Sequence, residues 1–251
     1  MRELYSGYGK RIILKDISLT QHRGTLTSLI GPNGSGKTTL LRVLAGLQGY
    51  SGSIMLSGHE VRNISRKNFA RSVCFVMTGR TFAPSYPFSV REVVAMGRMP
   101  FTGIFSRLSP HDEAVIDSAA DMAGVAHLLG RNVMTLSDGE RQLVLLASGL
   151  AQDTGILLLD EPTSSLDPDK SAKVFALLRR LADEGRSIIA AVHDINISLS
   201  YSDEYIALRD GVLISHGHKV SEEVLKDLYG TGFIPYNNNE RNDSMWRALP
   251  E

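Results

Sequence analysis

At 251 residues the chain is long enough for a substantial core, since folding near 300 residues removes about 75% of the unfolded surface from water. Its 27 basic and 27 acidic residues leave no net charge, which counts against a dedicated nucleic-acid binder with a basic patch or stripe. A single cysteine, Cys74, excludes an intrachain disulfide and fits a reducing compartment.

In chain order, Met1-Arg2-Glu3-Leu4 opens directly into a strand pattern rather than a signal peptide. No run approaches the roughly 20 apolar residues that span a bilayer, so a chain soluble by itself is expected, with any membrane role coming through a separate partner. Residues 2 to 30 and 52 to 62 alternate apolar and polar positions between turn glycines, predicting antiparallel strands. Tyr8, read alone, is an ordinary strand aromatic.

Between the apolar run Leu26 to Ile30 and the helix-forming run Thr38 to Leu47 lies Gly31-Pro32-Asn33-Gly34-Ser35-Gly36-Lys37-Thr38, with Thr39 next. This fits G-x-x-x-x-G-K-[ST] in its required strand-to-helix context. Glycines let successive N–H groups converge on phosphate oxygens, and the helix N-terminus adds partial positive charge. Lys37 is therefore expected on the outer phosphates and the Thr38 hydroxyl on Mg2+. The bare alternative is a glycine-rich turn with no ligand.

A strand follows over Ser72 to Met77, with Cys74 a small buried residue in it. Residues 88 to 150 read as mainly helical. Ser109 as N-cap, Pro110 in the first turn and Asp112 at the box position predict a helix running to about Leu129. Ser137 and Gly139 precede the periodic apolar set Leu143, Leu146, Ala147 and Leu150, a capped amphipathic helix whose N-terminus suits an anion. Asp138 is awkward there. A carboxylate 4 Å from a phosphate charge is repelled by about 4 kcal/mol at an effective dielectric of about 20, so its side chain is expected to point away.

Ile156 to Leu159 reads as a strand buried on both faces and ending in Asp160 and Glu161. Neighbouring strand residues point to opposite sides, so the two acids cannot share one role. Asp160 is expected toward Mg2+ and Glu161 toward the attacking water; the alternative is a surface acid pair closing a core strand. Residues 151 to 215 alternate strand, helix and strand, which predicts parallel pairing. His193 follows the apolar strand Ser187 to Val192, at the sheet edge where ligands bind in open α/β sheets. His22, His59, His111 and His127 read as ordinary polar groups, and His216 with His218 would need a third ligand to hold a metal. The tail from Gly230, with Asn237 to Asn239 and the only tryptophan, Trp246, reads as polar and packed on the body.

Across residues 2 to 220 the chain resembles the nucleotide-binding subunits of ATP-binding-cassette (ABC) transporters, with motifs in that family's order. Tyr8 matches the aromatic that stacks on adenine, and Leu136 to Glu140, continued by Arg141 and Gln142, matches the signature sequence. Within the signature, Asp138 replaces a more usual glycine and Glu140 a more usual glutamine. Asp160 and Glu161 match the Walker B pair, Ser165 to Asp167 the D-loop, and His193 the switch histidine.

The resemblance implies an α/β P-loop NTPase: a RecA-like parallel core, an antiparallel β subdomain and an inserted helical subdomain at about 88–150. Residues 1–230 would form the cassette and 231–251 a C-terminal tail. It further implies a homodimer holding two Mg-ATP, each between one subunit's residues 31–39 and the other's Ser137, Gly139 and Glu140. Glu161 and His193 would be catalytic, and Thr38, Asp160 and Thr78 metal-holding. Where the family usually has a metal-touching glutamine this chain has Thr78, whose hydroxyl reaches two atoms less far; Arg80 is an alternative contributor.

Val90 to Val94, Gly97 to Pro100 and the Ser109 helix start resemble ATPases of importers for iron-siderophore, haem or cobalamin. That implies integral-membrane permease subunits, an extracytoplasmic substrate-binding protein, and a peripheral place on the cytoplasmic face. Phe82, Tyr86, Phe88, Met96, Met99 and Phe101 are candidates for the permease contact, half of them expected in the core. The rivals are a non-transport ABC ATPase acting on ribosomes or DNA, and a catalytically silent regulatory subunit.

Overall fold

The computed structural model describes residues 1–77, 87–103, 107–238 and 243–249. β1 (Arg2–Tyr8) and β2 (Arg11–Ile17) form an antiparallel hairpin, and β3 (Leu26–Ile30) then enters the interior with all five residues buried. After α1 (Lys37–Leu44), β4 (Tyr50–Ser53) pairs back on β1, giving the three-stranded antiparallel order β2-β1-β4. β5 (Met55–Leu56) and β6 (His59–Glu60) make a small hairpin, and α2 (Arg66–Ala70) leads into β7 (Val73–Met77).

The helical layer is α3 (Val90–Ala95), α4 (Met99–Thr102), α5 (Pro110–Met122) and α6 (Asp138–Ala151). β8 (Ile156–Asp160), α7 (Pro168–Asp183), β9 (Ser187–Ala191), α8 (Ile195–Tyr201) and β10 (Glu204–Arg209) follow. β11 (Val212–Gly217), α9 (Glu222–Tyr229), β12 (Phe233–Asn238) and β13 (Asp243–Ala248) complete the order.

The central sheet runs β11-β10-β3-β9-β8-β7, parallel throughout except for the β10–β11 edge pair. Its strands separate two cores by strict alternation. Leu26, Ile30, Cys74, Val76, Leu157, Leu159, Ile188 and Ala190 face the core shared with α6 and α7. Leu29, Val73, Leu158, Ile189, Ala191 and Leu208 face the other, shared with β1, β2 and α1. Burial on both sides is why these strands read as unbroken apolar runs. Burial also pushes the Cys74 thiol up to about 12, so it stays protonated and inert.

Three expectations need correction. The helix expected to reach Leu129 ends at Met122, because Gly124 turns left-handed (φ 72°) and a separate 3-10 turn spans Ala126–Leu128. Parallel pairing fails at β11: Asp210 and Gly211 both have positive φ (50° and 78°), the two-residue turn that closes an antiparallel hairpin. The antiparallel pairing expected through residue 30 fails at β3, which is buried in the central sheet and parallel to both β9 and β10. The polar tail carries an antiparallel pair, β12 with β13. Its packing on the body is as expected. Asn196 at the start of α8 donates Nδ2–H to the Trp246 carbonyl (3.0 Å) and accepts the Trp246 N–H (2.7 Å).

Candidate functional site

Parallel register carries the motif residues to one edge. Met77 pairs with Asp160, Asp160 with Ala191, and Ala191 with Leu29, so the residues that follow each strand emerge side by side. Gly31 opens the loop after β3 with φ 150°, and a Cβ there would stand 2.1 Å from the Leu208 carbonyl oxygen, so the cradle requires glycine at that point. Pro32 accepts the Ser35 N–H (3.2 Å), Asn33 and Gly34 are exposed, and Gly36 is the left-handed N-cap of α1.

Lys37 Nζ donates to the carbonyls of Gly31 (2.6 Å) and Pro32 (3.1 Å). Burial lowers its pKa, while the charges of Glu161 and Asp160 oppose that shift. Thr38 is exposed at the loop mouth and donates its hydroxyl to Asp160 Oδ1 (3.2 Å); Thr39 is buried beneath it. Burial raises the Asp160 pKa, against the lowering effect of the Thr38 hydrogen bond.

Glu161 leaves the strand in the left-handed region (φ 54°), a conformation that costs a non-glycine residue about 1–3 kcal/mol and persists only where neighbours hold it. Its N–H donates to the Ala191 carbonyl (3.0 Å), and its own carbonyl accepts from Ser164 N–H (3.3 Å) and Gln142 Nε2 (2.8 Å). The turn aims the carboxylate at His193, whose Nε2 lies 2.5 Å from Glu161 Oε1. Both side chains remain partly exposed, as groups meeting a ligand must.

A second cluster forms at the start of α6. Ser137 is its N-cap, and Glu140 closes a capping box in which the Glu140 carboxylate accepts from the Ser137 N–H and hydroxyl, each at 2.8 Å. Those two donors hold the Glu140 pKa down. Glu140's side chain is thus occupied in capping. Asp138 is highly exposed and meets Arg141 Nη1 at 3.0 Å. Gly139 lies against the D-loop, where a Cβ would meet the Ser165 carbonyl oxygen at 3.0 Å.

Residues 31–39, Asp160, Glu161 and His193 therefore converge, with Ser137, Gly139 and Glu140 grouped separately on α6. Tyr8 ends β1 and is 48% exposed, available for stacking. Thr78 and Arg80, like Phe82 and Tyr86, lie outside the described residues. His216 and His218 gain no third partner, as no metal-holding group of His, Cys, Asp or Glu exists among the described residues. Sequence reasoning assigned no role to Gln142, although its buried position on the inner face of α6 sets it apart from a solvent-facing glutamine.

The donor set suits a magnesium-bound polyphosphate. Ser35 Oγ is buried with no hydrogen-bond partner among the described residues, and such a hydroxyl is costly unless a ligand satisfies it. Thr38 and Asp160 present paired hard oxygens beside the Lys37 ammonium, the ligand type that divalent magnesium takes.

Comparison with known proteins gives the same picture. A family model described as "ABC transporter" matches residues 14–164, and one described as "AAA domain, putative AbiEii toxin, Type IV TA system" overlaps it at 125–242. The iron(3+)-hydroxamate import ATP-binding protein FhuC of Bacillus subtilis (strain 168) is 35% identical over 90% of this chain and 86% of its own. The ferric enterobactin transport ATP-binding protein FepC of Escherichia coli (strain K12) is 35% identical over 91% and 85%. Among solved structures, a dimeric post-hydrolysis state of the ATP-binding cassette MJ0796 bound to ADP and Pi superposes with TM-score 0.75, covering 88% of this chain and 98% of that one at 24% identity.

Proposed function

Because the chain belongs to the ABC transporter family, we propose that it is the ATP-hydrolysing subunit of an importer for an iron-siderophore or similar metal chelate. The observation that carries the reading is the meeting of Lys37, Thr38, Asp160, Glu161 and His193 at one sheet edge. Magnesium held near Thr38 and Asp160 would neutralise charge between the outer phosphates and fix their geometry.

The remaining chemistry belongs to the chain. Backbone N–H groups of residues 33–38 and the Lys37 ammonium hold the phosphates, and Ser35 adds its hydroxyl. Tyr8 stacks on the adenine, a contact worth on the order of 1–3 kcal/mol. Glu161 Oε1 orients the water in line with the γ-phosphorus and accepts its proton. His193, bridged to that oxygen, keeps the carboxylate in place and reaches the γ-phosphate. The N-terminus of α6, through the Gly139 N–H and the Ser137 hydroxyl once it turns from Glu140, supplies donors to the nucleotide of a second copy, making a homodimer the active unit.

No helix among the described residues is long and apolar enough to cross a membrane. In this reading, contact with the bilayer falls to a separate permease, itself fed by an extracytoplasmic binding protein. Met99, 40% exposed, and the partly buried Phe88, Met96 and Phe101 supply the aromatic and thioether surface for that contact.

Replacing Glu161 with Gln tests the mechanism. Phosphate release should fall on the order of 100-fold or more, while ATP still drives dimerisation. Normal turnover by Glu161→Gln would remove the residue from its role. Purification from membranes should bring an integral protein with the chain, and labelled ferric chelate should accumulate in vesicles only when both are present.

A further inference from the structure

Gln142 occupies a point through which the two clusters on this chain communicate. It is 3% exposed, one turn into α6, and both ends of its amide are used. Nε2 donates to the carbonyl of Glu161 (2.8 Å), and Oε1 accepts the N–H of Ser165 (2.9 Å). The five-residue turn from Glu161 to Ser165 is thus pinned at its first and last residues by a single side chain. Within that turn, Glu161 is the residue with a strained backbone, and Gln142 and Ser164 N–H both grip its carbonyl. Gly139, three residues earlier on the same helix, packs directly on the Ser165 carbonyl.

From this geometry we propose that Gln142 is a positioning residue for hydrolysis. It locks the main chain of Glu161 in the conformation that presents the carboxylate to water, and it ties that conformation to the start of α6. The proposal rests on the ATPase reading above. Because the start of α6 serves the partner's nucleotide in that reading, the amide makes one subunit's hydrolytic geometry depend on whether its α6 is engaged across the dimer. Glutamine suits the task because one planar group offers a donor and an acceptor to two backbone groups at once.

The test uses the full chain and four variants. Gln142→Leu fills similar space but makes neither bond. Its kcat for phosphate release should fall by roughly tenfold to a hundredfold, with KM for ATP changed less than about threefold on the same grounds. In the Glu161→Gln background, where turnover is blocked, adding Gln142→Leu should leave ATP-driven dimerisation within about threefold of the single variant, because ligand binding does not use the Glu161 carboxylate. Gln142→Glu keeps the acceptor and loses the donor. Its activity relative to the parent should rise as pH falls across the neutral range, since a buried carboxyl has a raised pKa and its acid form donates again.

A folded Gln142→Leu chain that hydrolyses within twofold of the parent would overturn the proposal. Equal loss of dimerisation and turnover would do the same, because that pattern marks a merely structural residue. A parent chain with no ATPase activity would instead fail the underlying reading.

Discussion

Ser35 separates folding from ligand binding most cleanly. A buried hydroxyl with no partner costs about 1–3 kcal/mol, and no described residue satisfies Ser35 Oγ. Ser35→Ala should therefore leave the nucleotide-free protein as stable as the parent or slightly more so. The rise in melting temperature on adding Mg-ATP should shrink, because stabilisation by a ligand tracks its affinity. Paired thermal scans with and without nucleotide check this, and an undiminished ligand-induced rise in Ser35→Ala would contradict it. Lys37, Thr38, Asp160, Glu161 and His193 were legible in the sequence because their spacing relative to strand ends is fixed by the chemistry they serve. The left-handed backbone of Glu161 and the two hydrogen bonds of Gln142 were not legible. A polar residue in a helix does not reveal which carbonyl it meets, and backbone sign at a strand exit depends on tertiary partners.

Among the elements, the helical layer is fastened by a buried ion pair. Arg98 Nε meets Asp112 Oδ1 at 2.9 Å with side chains only 4% and 8% exposed, and Arg98 Nη1 donates to the Ala151 carbonyl (2.9 Å). One guanidinium thereby joins the α4 segment to the first turn of α5 and the last of α6. Asp112→Ala would strand that charge, which typically costs 3–5 kcal/mol, so a denaturant midpoint well below the parent's is expected. Acid sensitivity follows from the same carboxyl. The Ser109 hydroxyl and N–H, with Arg98 adding to them, lower the Asp112 pKa from 3.8 to about 2. A depressed folded pKa stabilises above the unfolded value and is lost as pH falls through the folded one. The parent should lose stability between about pH 4 and pH 2 more steeply than Asp112→Ala, as read from unfolding at stepped pH. The Ser109–Pro110–Asp112 start was readable because capping is local, whereas the helix end was misplaced by continuing apolar residues after Gly124.

At the scale of the whole molecule, the sequence signalled the doubly covered sheet but not the terminal hairpin. β12 and β13 are held partly by Asn196, a side chain far away in sequence, and an asparagine-rich stretch carries no periodicity that would announce a strand. The remaining question is assembly. Two copies with 27 charges of each sign meet without net repulsion. Bound nucleotide adds negative charge where the N-terminus of each α6 would receive it. If Ser137 and Gly139 complete the partner's site, turnover per chain must depend on how often copies meet. Specific activity should therefore rise with chain concentration and level off once dimers dominate, and adding an excess of Lys37→Ala chains should depress it by sequestering parent chains into dimers with only one intact cradle. Sedimentation of Glu161→Gln with ATP should give the dimer mass, and the same variant without nucleotide should shift toward the monomer. Specific activity that stays constant on dilution well below the dimerisation range would show that one chain holds a complete site.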